Sequence, residues 1–196
     1  MKKRELGPKT FLFPMPAALV GANIEGKPNY LVIAFAGIVN AQPPTIFVSI
    51  NHAHYTNIGI MENRTFSVNI PSADMVKVTD YCGIVTGGEV DKSMLFDSFY
   101  GKLGTAPMIS ECPVNLECRL VDTIEYEVDT AYIGEVTEVY VNEDCFTNEK
   151  IDILKMNPLL FSTSEKKYFR VGEYVGNAWN IGIDYRAKDV IKKKRG

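Results

Sequence analysis

Two histidines, His52 and His54, and four cysteines, Cys82, Cys112, Cys118 and Cys145, are all that a chain of 196 residues offers of either type. No two cysteines form a C-x-x-C pair, and four in this length are too sparse for a disulfide framework, so reduced, mostly buried thiols are expected. No stretch reaches the roughly 18 uninterrupted apolar residues of a bilayer-crossing helix, so a soluble chain with no membrane partner is expected. There is no G-x-G-x-x-G to mark a Rossmann dinucleotide site, no internal repeat and no low-complexity tract.

Positive charge is scarce in the body of the chain. Residues 6 to 187 carry 13 Lys and Arg against 22 Asp and Glu, while both ends are basic, the second as a tail at about 188–196. An acidic body repels nucleic acid, so no nucleic-acid partner is expected, and any phosphate ligand must rely on a few local donors. Lys2, Lys3 and Arg4 precede an apolar patch in the manner of a secretory signal, but Pro14 and Pro16 break that patch. A structural first strand and a cytoplasmic location are expected instead.

What is present reads as one mainly β domain over 1–196, a β-barrel with inserted helices. Residues 17–24, 30–36, 45–50 and 65–70 are short β-prone runs bounded by Gly, Pro or Asn. Gly26 and Pro28 mark a hairpin turn between the first two. Thr56 is placed to cap a short helix running to Glu62, and Ser72 to open a second over SADMVKVTDYCG. From 114 to 143 apolar and polar residues alternate as in antiparallel strands, with Gly134 at a bulge or a close backbone approach. Residues 145–178 are irregular.

His52 and His54 share one face of an extended chain and could reach one metal, but two ligands are not a site and there is no third histidine. They are assigned to a polar strand-to-helix turn, with no metal. In that turn Ser49 and Asn51 end a strand while Tyr55, Thr56 and Asn57 begin a helix, where free backbone N–H groups favour an anion. In CGIVTGGEVDKS, Gly87 and Gly88 allow close backbone approach, Thr86 offers a hydroxyl, and Lys92 is a rare cation. In NYLVIAFAGIVNAQPP, an apolar strand gives way to small residues around Phe35, either an ordinary strand exit or a wall for a flat ring. Flavin mononucleotide (FMN), with its phosphate and its planar polar ring, uses all three segments.

These segments, in order, resemble the flavin reductase-like family and its flavoredoxin branch. The shared stretches are PMPAALV with the G-K-P-N turn, PPTIFVSI, TFSVNI, the helix ending in DYCG, T-G-x-x-x-D-K, APMISECPVNLEC and YIGEV. The resemblance implies an FMN-binding split barrel, typically a homodimer. It implies that Ala34, Phe35 and Ala36 lie along the isoalloxazine, that Ser49, Ile50 and Asn51 contact ring or ribityl, and that Tyr55 and Thr56 lead to the phosphate. Thr86, Gly87 and Lys92 match the other phosphate-side segment, and an aromatic near Phe161 or Tyr168 approaches the flavin. Val32 stands where relatives often have a hydroxyl residue, and Phe35 where they often have tryptophan. The function implied is an FMN-dependent oxidoreductase taking electrons from NADH or NADPH and passing them to a small-molecule or protein acceptor. A carrier that uses nicotinamide poorly, a flavin- or nucleotide-binding module without turnover, and an H-x-H metal protein are the alternatives. No side chain of this chain is required as a catalytic acid or base.

Overall fold

Glu25 and Gly26 adopt φ angles of 52° and 78°, the left-handed pair that a two-residue hairpin turn demands. The computed structural model describes residues 1–183 and 185, so the basic tail lies outside the described residues. After a short strand β1 (Met15–Pro16), that turn joins β2 (Ala18–Ile24) to β3 (Lys27–Ile33). A second hairpin, β4 (Ala36–Ala41) and β5 (Pro44–Asn51), is followed by α1 (Thr56–Asn63), β6 (Thr65–Ile70) and α2 (Val76–Ile84). Short strands β7 (Ser98–Phe99) and β8 (Met108–Ile109) pair before the long hairpin of β9 (Val114–Glu125) and β10 (Asp129–Val141). The chain then forms a small hairpin, β11 (Phe146–Thr147) with β12 (Lys150–Ile151), then α3 (Ile153–Met156), and a hairpin of β13 (Leu159–Ser162) with β14 (Lys167–Arg170) that pairs with β1.

Seven strands make one antiparallel sheet in the order β3-β2-β6-β9-β10-β5-β4. Its two edges, β3 and β4, are consecutive in sequence and joined only by Ala34 and Phe35, so the sheet must curl until its edges meet there. The Phe35 carbonyl accepts from Ser49 N at 2.8 Å and closes the corner. This is the split-barrel architecture, mainly β with inserted helices. The run 30–36, expected as one strand, is therefore two pieces on opposite sheet edges with the corner between them.

The barrel interior is filled by Val20, Leu31, Val48, Phe66, Leu120 and their neighbours, with Ile60 of α1 closing one end. Gly134 is where β9 and β10 shift register, and a Cβ there would come within 2.5 Å of the Phe66 ring, so glycine is required by packing. Leu19 and Tyr30 on the outer face of β2 and β3 are covered by α2 and by Phe96, Ile109 and Cys112. Removing Phe66 should cost about 3–5 kcal/mol, the usual range for an aromatic core truncation.

Two helix starts differ from expectation. Tyr55, without a side-chain capping bond, is the N-cap of α1, because the Thr56 hydroxyl is taken by Asn29 Nδ2, which donates to it at 2.8 Å. Ser72 opens a 3₁₀ turn, Ala73–Met75, that leads into α2. The irregular stretch 145–178 contains β11 to β14 and α3, held by pairings with distant residues that no local pattern announces.

Candidate functional site

The corner at Ala34 divides two cavities. On one side a cavity of about 550 Å³ is walled by Leu31 to Ala34 of β3, His54, Gly83 and Ile84 of α2, and the β13–β14 hairpin with Phe161, Thr163 and Tyr168. A Cβ at Gly83 would approach Val32 Cγ1 to 2.6 Å, so glycine is what lets α2 lie against β3 at this wall. The opposite wall is anchored by Tyr168, whose hydroxyl donates to Asp80 Oδ1 at 2.9 Å across 88 residues of sequence. Burial first, and Asp80 second, push the Tyr168 pKa up to about 12, so it stays a neutral donor. On the other side of Ala34 a cavity of about 450 Å³ is lined by Phe35, Ala36, Phe47, Ser49 and the segment from Thr10 to Pro16.

A third, smaller hollow of about 200 Å³ lies at the start of β3, between Asn29, Tyr55, Gly87, Gly88 and Lys92. Lys92 is only 3% exposed. Its ammonium donates to the carbonyls of Tyr30 at 3.0 Å and Cys82 at 2.8 Å, which ties β3 to the C-terminal end of α2, where a cation is favoured. Among the described residues it has no carboxylate partner, and burial lowers its pKa. Buried cations are normally paired; this one borders the small hollow instead. A Cβ at Gly87 would fall 2.1 Å from Asn29 Oδ1, so only glycine lets the 86–88 turn close over Asn29.

The expected residues divide among these places. Ala34 lines both larger cavities, Phe35, Ala36 and Ser49 line the second, and Tyr55, Gly87 and Lys92 line the small hollow. The others are not cavity liners. Ile50 is 1% exposed in the barrel core. Asn51 accepts from Ala53 N through its side chain, Thr56 is buried against Asn29, and the Thr86 carbonyl accepts from Glu89 and Val90 N. The histidine pair is split: His52 Nε2 meets Glu125 Oε2 at 3.3 Å on the surface, while His54 faces the large cavity. Among the described residues no group of three or more His, Cys, Asp and Glu is placed to hold a metal ion.

Residues not singled out in the sequence also matter. Among the described residues, three buried side-chain oxygens lack any hydrogen-bond partner: Asn29 Oδ1, Thr79 Oγ1 and Thr163 Oγ1. Asn29 is at the small hollow and Thr163 at the large cavity, so two of the three border the cavities. Val32 and Thr163 both line the large cavity, and the Thr163 hydroxyl oxygen is buried without a hydrogen-bond partner among the described residues. Asn29 was legible only as the last residue of the G-K-P-N turn.

The flavin reductase like domain model matches residues 10–170. The chain belongs to that family. It is similar to flavoredoxin from Methanosarcina acetivorans, at 46% identity and a TM-score of 0.91 over 95% of this chain and 100% of that one. Flavoredoxin of Desulfovibrio vulgaris (Miyazaki F) follows with 36% identity and a TM-score of 0.86 over 92% and 100%. A protein of Archaeoglobus fulgidus is 30% identical over 145 residues, 73% of this chain and 81% of its own. Family membership makes the protein an FMN-binding oxidoreductase, working as a flavin reductase or as a flavoredoxin-like electron carrier. The residues present fit FMN: a mostly apolar cavity bordered by a hydroxyl without a partner among the described residues, and a glycine-lined hollow beside a buried cation with no carboxylate among them.

Proposed function

We propose that the large cavity holds the FMN ring and that the hollow at Lys92 and Gly87 holds its phosphate. The observation that carries this reading is the buried Lys92 ammonium without a carboxylate, at the far end of the strand that walls the large cavity. From Asn29 to Val32 the strand advances roughly 10 Å at about 3.3 Å per residue, a span suited to the ribityl chain. Leu31, Val32 and Ile84 exclude water from the ring, and the Phe161–Tyr168 pair, with centroids 5.3 Å apart, supplies an aromatic flank. Thr163 gives the hydroxyl that Val32 lacks. Asn29, whose Nδ2 donates to the Thr56 hydroxyl at 2.8 Å, borders the hollow at Lys92 and Gly87. Phe35, Ala36 and Ser49 line the approach on the other side of the corner, where the electron partner stands.

Bound FMN supplies hydride acceptance and electron transfer, and the protein supplies orientation and a dry site. NADH or NADPH is the donor in this reading, and a small molecule or redox protein the acceptor. The chain works as a homodimer, because β4 leaves an open sheet edge with Ile38 and Val39 exposed. Four free, buried cysteines suit the reducing cytoplasm. The likeness to flavoredoxins favours a second reading, a carrier that exchanges electrons with a protein and ignores nicotinamide. Rapid mixing of the FMN-loaded protein with NADH or NADPH separates the two. Bleaching of the flavin absorbance at a saturable rate supports the reductase; no bleaching by either nucleotide leaves the carrier.

A further inference from the structure

The last described segment, 171–185, is built unlike the rest of the chain. Its described residues, 171–183 and 185, form neither helix nor strand, yet they are not shapeless: Ile181 N donates to Asn177 O at 3.0 Å, Ile183 N to Asn180 O at 3.0 Å and Tyr185 N to Gly182 O at 3.1 Å. A Cβ at Gly176 would fall 2.2 Å from Ile181 Cδ1, so the segment turns back on itself over a glycine whose φ of +158° suits extended backbone. The result is a hydrogen-bonded hook that turns large apolar side chains outward. Tyr174 is 69% exposed, Val175 92%, Trp179 98%, Ile181 68%, Ile183 70% and Tyr185 77%. Trp179 is the only tryptophan in the chain. Six large apolar side chains exposed along one short segment point to an interaction surface.

We infer that this hook docks on a second copy of the same chain, so that two copies exchange arms about a two-fold axis. The inference rests on the homodimer reading above and adds the element that holds the dimer together. Three observations favour a second copy as the occupant. The arm is preformed, which lowers the ordering cost of docking. Its three aromatic side chains alone can bury roughly 150–250 Å² each, so two exchanged arms and the ground they cover reach the ~1,600 Å² of a stable interface. Complementary apolar ground is present on the same molecule: Ile38 and Val39 on the open edge of β4, and Phe11, Leu12 and Phe13 before β1. Reciprocal exchange covers both surfaces in one closed pair. A different partner would cover the arm and leave the β4 ground bare.

The test uses the full chain and its single tryptophan. In the expected outcome sedimentation shows a dimer, and Trp179 emission is blue-shifted and shielded from a soluble quencher. The emission then moves to the red as dilution dissociates the dimer. Trp179→Ser should raise the dimer dissociation constant about 30-fold or more, since a buried tryptophan anchor is typically worth ~2 kcal/mol or more and each 1.4 kcal/mol is tenfold. Truncation after Gly172 should give monomers. Because Trp179 is 98% exposed on its own chain, Trp179→Ser should leave the melting of the monomer unchanged. A dimer unaffected by Trp179→Ser and by truncation, with water-like tryptophan emission, overturns the arm exchange and leaves the homodimer standing. A monomer at every concentration overturns both. A monomer whose emission shifts only on anionic vesicles replaces the second copy with a membrane surface.

Discussion

Buried polar groups are treated in opposite ways on the two sides of the sheet. On β6 and β9 they are fully paired. Asn69 donates to Leu19 O and Ser67 Oγ and accepts from Ile109 N and Asn115 Nδ2, while Ser67 donates to Pro107 O. The fully buried Glu117 accepts from the N–H groups of Lys102 and Leu103 at 2.9 and 2.8 Å. Around β3 the pairing among the described residues is incomplete: Asn29 Oδ1 and Thr163 Oγ1 have no partner, and Lys92 has carbonyls but no carboxylate. An unsatisfied buried polar atom costs about 1–3 kcal/mol, so the open side is the one where a ligand would gain most by supplying partners, in keeping with the proposed FMN site. The first cluster fixes the loop from 100 to 113 on the barrel; the second borders the cavities proposed for FMN.

The comparison is broken most severely by Asn69→Ala. It strands Ile109 N, Leu19 O and Asn115 Nδ2 in the interior, and at about 1–3 kcal/mol per stranded group the loss should be at least ~3 kcal/mol. For a chain of this size that lowers Tm by roughly 6–12 °C. The loss should be the same with and without FMN, because this cluster does not meet the ligand. A drop that FMN largely restores would place Asn69 on the binding side and undo the distinction.

Lys92→Ala should act in the opposite sense, on the ligand more than on the fold. A hydrogen bond to a charged group is worth roughly 1.5–3 kcal/mol, so FMN affinity should fall about ten- to a hundredfold. Riboflavin, which has the ring and ribityl chain without the phosphate, should bind the variant about as well as the natural chain. The measurement is quenching of flavin fluorescence for both ligands. Equal losses for the two would mean that Lys92 serves by tying β3 to α2 through the Tyr30 and Cys82 carbonyls, and that no phosphate lies beside it.

The paired side was the more legible of the two in sequence. Alternation over 114–143 specified β9 and β10, Gly134 showed in advance where Phe66 needed room, and Gly26 with Pro28 placed the first hairpin. Those signals are local or have period two. The open side is assembled from residues whose partners are far away. Tyr168 reaches Asp80 across 88 residues, and Thr163 lies in a stretch with no strong period. The apolar run 30–36 does not show that Ala34 and Phe35 turn between two sheet edges, since both halves are equally β-prone. Lys92 was legible as a scarce cation, but its burial depends on the packing of α2 against β3 at Gly83. Ile50, Asn51, Thr56 and Thr86 share the right segments, but side-chain direction and turn bonds set them facing the core or their own backbone.

The finest test of the comparison is electrostatic and concerns His54, at the mouth of the large cavity. Burial first, and the Lys92 charge second, hold its pKa below the usual histidine value, while Asp129 pulls it back upward. A histidine whose folded pKa is depressed contributes stability that is complete above the unfolded pKa of about 6.5 and is lost as pH falls through the folded pKa. His54 is exposed to solvent, so the whole change should stay under about 1 kcal/mol. Thermal melts of the flavin-free protein from about pH 8 down to about pH 5 should show this small acid-side decline, and His54→Gln should flatten it. The Lys92 share of the shift can be isolated by NMR titration of the His54 ring. Lys92→Ala should raise the His54 pKa toward its usual value, and so should FMN, because a phosphate beside Lys92 neutralises the charge that repels the second proton of the imidazole. Riboflavin should not do so by this route. A His54 pKa that FMN and riboflavin shift by the same amount would put the phosphate away from Lys92, even if Lys92→Ala had weakened both ligands.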